Sequence, residues 1–360
     1  MAPKRTDTLA PGAATTDAGG AVFIQPNPAP QNANVWFFTR LGGVSEPPFG
    51  SLNISTKVGD SPENVGENLS RIKQAMDGNP SAWVRQVAGD AVVHVSEGGF
   101  AGEADALITR EENLSLVVGV ADCVPVALVG EDAVGMIHSG WRGTLSGISG
   151  KAAREMIEEG GRNVSGMYGE AAKGMVEESG RNLMSHGEDH TAREGSLAAA
   201  AHEGDHADRE RNLAASHEGN LASGGGNFTS QGGDPAAHDG NPAAHSGDLT
   251  PTAAREGNFA ARGGSIVAYI GPCIRRCCYE VSEELAGKFA DEFGEGVVSG
   301  RRLSLPDAIR VDLERAGVEE IHDLGMCAGC RPDLFFSHRM EKPVTGRNLA
   351  SVSMTSKAGA

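Results

Sequence analysis

Two short stretches carry side chains that could do chemistry together. Ala121-Asp-Cys-Val-Pro125 ends one apolar run with a cysteine, and His138-Ser-Gly-Trp-Arg-Gly-Thr144 follows another with a histidine. A thiolate and an imidazole brought to one place are the donors of a soft metal site, or the nucleophile and base of a covalent catalyst. Arg142 adds a fixed positive charge with a planar fork of donors suited to an anion. Asp122, beside the cysteine, is either an acid/base group or a brace for the Cys123 loop. The plain alternative is that Cys123 is a small buried hydrophobe and His138 a hydrogen-bonded histidine at a strand end.

The elements around these residues have to position them. Leu116–Val120, Val126–Leu128 and Ala133–Ile137 are short, apolar and β-branched, as buried strands are. Adjacent strands of one sheet would bring Cys123 and His138 to the same edge. Thr144 is a candidate cap for a helix running on through Lys151–Glu159, whose free N–H groups would favour an anion. Further upstream, Val35-Trp-Phe-Phe38 reads as a strand leading into a turn with Arg40. Ser61-Pro-Glu-Asn opens a capped helix that runs to about Met76. Trp83–Val87 and Ala91–Val95 flank Gly89-Asp90 and read as a hairpin. Ala106–Thr109 and Ile266–Ile270 are further strands, Glu280–Phe293 and Leu305–Ala316 helices, and Val318–Leu324 a late strand.

Composition sets the limits. The chain has 360 residues, 39 % hydrophobic and 5 % aromatic, with 50 glycines, so part of it cannot belong to a packed core. A net charge of −17 argues against nucleic acid or an acidic membrane as partner. No apolar run approaches the roughly 18–20 residues of a membrane span, and no apolar stretch follows the basic start, so a cytoplasmic protein is expected. Six irregularly spaced cysteines fit a reducing compartment better than a disulfide framework.

Residues 1–20 read as a disordered tail. Residues 162–264 read as a flexible insertion rich in Gly, Ala and His, with a glycine every seven residues from Gly219 to Gly247. The seven-residue period has no apolar seam and contains proline, so it is not a coiled coil. Seven of the eleven histidines lie in this insertion, without the fixed geometry a metal site needs. Removing tail and insertion leaves about 235 residues, 21–161 and 265–360, enough for one catalytic domain.

Several motifs in order then resemble a known family. Phe38-Thr-Arg-Leu-Gly-Gly-Val-Ser45, Ser51-Leu-Asn-Ile54 and Val58-Gly-Asp60 match its N-terminal part. Ala104–Thr109, Ala121-Asp-Cys123 and His138–Gly143 match its centre, and Tyr269–Ile274, Cys278–Val281, Phe335–Arg339 and Thr345-Gly-Arg347 its C-terminal part. The chain resembles the YfiH family, also called the multicopper polyphenol oxidoreductase or laccase-domain family. The resemblance implies an α+β fold: a single-domain αββα-type sandwich with mixed sheets, here interrupted by the insertion. It implies a zinc-dependent purine nucleoside phosphorylase, active on adenosine, inosine and S-methyl-5'-thioadenosine, with adenosine deaminase activity alongside. A purine nucleoside and phosphate are then its partners, and it would act as monomer or homodimer. Copper travels with the older laccase label, but the core histidines His94, His138, His322 and His338 are too few for a multicopper oxidase.

The implied metal ligands are Cys123, His138 and a histidine in a Gln-Val-His-Gly motif. Here that motif is Gln86-Val-Ala-Gly89, so Ala88 stands at the third position and metal binding is expected to be weakened. In the phosphorolysis reading Arg40 and Arg142 hold phosphate and Asn53 orients the nucleoside. Loss of one ligand gives weight to a rival, a cysteine hydrolase or deamidase using Cys123 and His138; a third reading is a non-catalytic binding protein that keeps the nucleoside pocket. Cys327-Ala-Gly-Cys330 has zinc-ribbon spacing but is half a site. Cys277 and Cys278 complete it only if the fold brings them close, and core packing explains them as well.

Overall fold

The computed structural model describes residues 13–18, 20–160, 265–341 and 344–356. Its strands, in chain order, are β1 (Ala13–Ala18), β2 (Ala21–Pro26), β3 (Ala33–Phe38), β4 (Ser81–Arg85), β5 (Val92–His94), β6 (Gly99–Glu103), β7 (Ala106–Thr109), β8 (Ser115–Val120), β9 (Val124–Val129), β10 (Val134–Ser139), β11 (Val267–Ile270), β12 (Val298–Ser299), β13 (Arg302–Leu303), β14 (Glu320–Asp323) and β15 (Asn348–Met354). The helices are α1 (Pro62–Ala75), α2 (Trp141–Leu145), α3 (Ile148–Gly160), α4 (Glu283–Phe293), α5 (Leu305–Arg315) and α6 (His338–Glu341).

Two mixed sheets carry the fold. One has seven strands in the order β1-β2-β3-β15-β8-β4-β6, the other six in the order β14-β11-β9-β10-β7-β5. Both faces of β8, β9 and β10 are buried, which is why their sequences are continuous apolar runs rather than alternating ones. Val118, Ala127, Met136, Tyr269 and Phe335 fill the space between the sheets. Ile148, Ala152 and Met156 of α3, with Phe289 and Ile309 of α4 and α5, cover the outer face of the six-stranded sheet. Leu69 and Ile72 of α1 cover the other sheet with Trp36 and Trp83. The result is the expected four-layered αββα sandwich.

The helix starts follow their sequence signals. Ser61 accepts a hydrogen bond from Asn64 N–H with proline just inside α1; Ser282 and Ser304 cap α4 and α5 in the same way. Strand β11 lies between β9 and β14, and β15 between β3 and β8, so the segments on either side of residues 162–264 share both sheets. The insertion, with its seven histidines, lies outside the described residues.

Three expectations change. The 1–20 tail ends in strand β1, paired antiparallel with β2. The hairpin across Gly89-Asp90 does not form. β4 pairs in parallel with β6 and β8, whereas β5 pairs in parallel with β7 in the other sheet. The stretch between them is a crossover from sheet to sheet, and it carries Ala88. The helix after His138 begins at Trp141 rather than at Thr144, and breaks at Gly147, whose φ is +71°. Thr144 is inside α2, where its hydroxyl donates to the Gly140 carbonyl.

Candidate functional site

Cys123 and His138 meet at one end of the six-stranded sheet, at two of its central strands rather than at an edge. β9 and β10 are antiparallel neighbours, with His138 opposite Pro125 and Ser139 opposite Val124. That register sets Cys123, one residue before β9, opposite Gly140. The approach is close: a Cβ on Gly140 would stand 3.2 Å from Cys123 Sγ. Glycine is needed there for the space its missing side chain leaves. His138 is 2 % exposed, while Cys123 is half-buried, so the sulfur is the more accessible of the two.

Asp105 fixes the histidine. Its Oδ1 lies 2.7 Å from His138 Nδ1, and its own carbonyl accepts from His138 N–H at 2.7 Å. The same carboxylate accepts the backbone N–H groups of Val87, Ala88 and Gly89 at 3.2, 3.1 and 2.8 Å. A fully buried aspartate thus ties the Ala88 crossover to the imidazole. With Nδ1 carrying the proton toward Asp105, Nε2 is the nitrogen available for Cys123 or for a metal. Burial alone would push the His138 pKa down, but the Cys123 charge and the Asp105 carboxylate outweigh it and raise it to about 10.

The crossover is pinned at other points. Gln86 exchanges two 2.9 Å hydrogen bonds with the backbone of Gly119, extending the β4–β8 ladder through its side chain. A Cβ on Gly143 would stand 2.8 Å from the Gly89 carbonyl oxygen, so α2 packs against the crossover backbone. Ala88 has φ +56°, a left-handed conformation that is uncommon for a residue with a Cβ.

Asp122 has φ +90° and is also held in a sparsely populated conformation. Its two oxygens accept Ser337 Oγ–H and Arg339 N–H, each at 2.6 Å, and burial raises its pKa against those bonds. Of the two roles read from the sequence, these contacts supply the brace: Asp122 joins the Cys123 loop to the start of α6. Arg142 lies over the Trp141 ring at 4.2 Å. As α2 has only five residues, its dipole adds little to anion binding.

Arg40 and Asn53 are engaged elsewhere. The Arg40 guanidinium donates to the carbonyls of Gly50 and Pro332, pairs with Glu341, and lies 4.3 Å over the Phe336 ring. Glu341 in turn accepts from Ser337 N–H and Thr345 Oγ–H, so Arg40 reaches Asp122 through a chain of contacts. Asn53 is fully buried and uses all its capacity: its amide donates to Ser55 O and Asp60, and its oxygen accepts from Ser55 and Arg347 N–H. Orienting a nucleoside through Asn53 would require one of those bonds to break.

Residues not singled out from the sequence join the site. Asp105 is the foremost; its signal was a lone carboxylate at the head of a strand whose other residues are apolar. Tyr279 is another: burial raises its hydroxyl pKa, and the charges of Cys123, Arg339, Asp122 and Arg142 act on it. Arg339 lies 5.0 Å over the Tyr279 ring.

A metal at this site would find two protein donors, Cys123 and His138, and alanine at the third position. His94 does not stand in for it: its Nε2 contacts Glu155 of α3 at 3.1 Å. Among the described residues, the cluster of three or more metal-ligating side chains lies elsewhere, formed by Cys277, Cys278, Cys327 and Cys330. Also among the described residues, no helix is long and apolar enough to cross a membrane.

A purine nucleoside phosphorylase from Deinococcus radiodurans is 38 % identical over 151 residues, covering 41 % of this chain and 58 % of that protein. Purine nucleoside phosphorylase YfiH from Escherichia coli is 37 % identical over 127 residues, 34 % of this chain and 51 % of that protein. The chain spans little more than half the length of these curated relatives. The crystal structure of YlmD from Geobacillus stearothermophilus superposes with a TM-score of 0.58 at 22 % identity, covering 92 % of this chain and 96 % of that one. The Bacillus licheniformis protein YfiH gives 0.56 at 22 %, covering 90 % and 93 %. These two likenesses establish the shared fold. Residues 34–221 and 235–355 match the sequence pattern of the multi-copper polyphenol oxidoreductase laccase family. The chain belongs to that family.

Proposed function

We propose that this protein is a purine nucleoside phosphorylase acting on inosine, adenosine and S-methyl-5'-thioadenosine, with a reacting centre at Cys123, His138 and Asp105. The observation that carries the reading is the convergence of Cys123 and His138 across Gly140, with Asp105 locking the histidine. Relatives named for this activity support the substrate class. In phosphorolysis a phosphate oxygen bonds to the ribose anomeric carbon while the bond to the purine nitrogen breaks. The leaving base needs a proton or equivalent charge stabilisation. His138, buried and backed by a carboxylate, is the group suited to hold that proton. Arg142, with Arg339 beside Tyr279, supplies positive charge for phosphate. Arg40 and Asn53 act at a distance, by holding the loops that frame the centre.

Catalytic zinc ordinarily has three protein ligands and one open position. Two donors and Ala88 do not meet that requirement, so zinc or copper would be held weakly here. The same shortfall lowers the expected activity on nucleosides, adenosine deamination included, since deamination needs a metal-activated water.

The test is phosphate-dependent release of hypoxanthine from inosine. Turnover that requires phosphate and disappears in Cys123→Ser and His138→Ala supports the reading; nucleoside cleavage indifferent to phosphate overturns it. A second reading is favoured by the Cys123–His138–Asp105 series, which has the order of nucleophile, base and orienting carboxylate. A cysteine hydrolase or deamidase would be inactivated by stoichiometric alkylation of Cys123 and show no phosphate dependence.

A further inference from the structure

Two pairs of cysteines about 50 residues apart in sequence converge near the surface, in a cluster that does not include Cys123. The ligand sulfurs of Cys277, Cys278, Cys327 and Cys330 all lie within 4.8 Å of one another. Cys330 Sγ is 3.4 Å from both Cys277 Sγ and Cys278 Sγ. Two geometries compete for such a cluster. A disulfide holds its sulfurs about 2.0 Å apart. A zinc ion with bonds of about 2.3 Å spaces its tetrahedral ligands about 3.8 Å apart. The spacings, 3.4 Å for two pairs and at most 4.8 Å for any, bracket the second value and involve all four sulfurs, whereas a disulfide needs two. An iron–sulfur cluster divides its four cysteines between two or four irons and so spreads the sulfurs more widely.

The geometry points to a structural zinc site made of Cys277, Cys278, Cys327 and Cys330.

The surroundings are built for it. The two segments are joined through their backbones: Cys273 bridges in parallel to Cys327, and Ala328 N–H donates to Cys273 O at 2.8 Å. Gly329, between the two cysteines of the CxxC turn, lies against Cys278; a Cβ there would stand 3.0 Å from Cys278 Cβ and 3.1 Å from its sulfur. The backbone N–H groups of Cys330 and Arg331 both donate to the Cys327 carbonyl, at 3.2 and 3.1 Å, which closes the CxxC turn and turns its two cysteines to one side. Adjacent cysteines are awkward ligands in an extended chain. Here Cys277 and Cys278 sit in a tight turn, with Cys278 and Tyr279 N–H both donating to Arg275 O, and both sulfurs reach Cys330. A borderline-soft ion suits four thiolates, and zinc prefers this closed tetrahedral set in structural sites.

The site has a place in the fold. One segment runs on into Tyr279, the other into the loop whose Ser337 and Arg339 hold Asp122, and Ile274 N–H donates to the Asp122 carbonyl. An ion joining the two would hold both walls of the Cys123 centre together.

Cobalt(II) titration of the full chain, purified reduced and metal-free, tests this. One equivalent should bind with the visible bands and sulfur-to-cobalt charge transfer of tetrahedral thiolate coordination, and zinc should displace it. The bands should persist in Cys123→Ser and vanish in both Cys330→Ser and Cys277→Ser, with circular dichroism reporting whether each variant is folded. Absence of the bands in the wild type, or their survival in a folded Cys330→Ser, would overturn the inference. So would bound iron, or a disulfide in place of metal under reducing conditions. The outcome is independent of phosphorolysis, because Cys123→Ser removes the other centre and leaves these four sulfurs in place.

Discussion

Asp105 decides what the centre can do. One carboxylate satisfies three backbone N–H groups of the Ala88 crossover and the Nδ1 of His138, so it fixes both a loop and a tautomer. Asp105→Asn keeps the shape and removes the charge. It should lower kcat for inosine about 10–100-fold, as loss of an orienting partner does at comparable sites, with a smaller change in KM; unchanged kcat would show that His138 needs no orientation. Asp105→Ala leaves the crossover N–H groups without their acceptor and should cost about 2–3 kcal/mol in denaturant unfolding. The chemical residues were readable from the sequence because Cys123 and His138 each stand just past the end of an apolar run. Asp105 was hidden by its neighbours: Ala106–Thr109 reads as strand, and nothing local says that the preceding carboxylate turns inward to bind a loop from another sheet.

The elements deliver these residues through close backbone approaches. Gly143 lets α2 lie on the crossover, and a methyl there would meet the Gly89 carbonyl at 2.8 Å. Gly143→Ala should therefore lower stability by about 1–3 kcal/mol and reduce activity as the loop moves away. Wild-type stability in a chemical melt would contradict the packing. The false hairpin has a physical explanation. Gly89-Asp90 is a good turn signal, but β4 and β5 find parallel partners in different sheets, and that pairing is set by residues far along the chain. Strand β15 was equally hidden: its serines break the apolar pattern, yet all seven of its residues are buried at the centre of a sheet.

A second pair tests how the late strands are held. Arg275 forms two parallel hydrogen bonds to Asp323, at 2.7 and 2.6 Å, where β14 ends beside β11. Burial pushes the Asp323 carboxyl up, but the guanidinium outweighs it and holds the group below the usual carboxylate range. A depressed folded pKa adds stability above the pKa of the unfolded chain and loses it as pH falls through the folded one. Asp323→Asn should thus be less stable than wild type by about 1–3 kcal/mol near neutral pH, and the gap should close in acid. A gap independent of pH would mean the carboxylate charge is not what stabilises the pair.

Across the whole molecule, the two segments on either side of residues 162–264 build one sandwich, and the proposed reacting centre draws residues from both. Cys123, His138 and Asp105 come from the first segment, and Tyr279, Ser337 and Arg339 from the second. Composition gave the outline of this arrangement, since the apolar residues concentrate outside the glycine-rich insertion. The layering was expected from the family resemblance, and the sheet order emerged only from long-range pairing. At the proposed centre, the departure from the motif that the family resemblance implies is Ala88, held where a histidine is expected and in a left-handed conformation in which histidine is enriched among non-glycine residues. The most direct measurement is therefore inosine phosphorolysis by wild type and Ala88→His, read together with the zinc that each loses on adding Cys123→Ser. The account predicts that Ala88→His gains one such equivalent and turns over inosine at least about tenfold faster, as restoring a catalytic ligand should. Wild type already holding a full Cys123-dependent equivalent, or Ala88→His gaining neither metal nor rate, would contradict it.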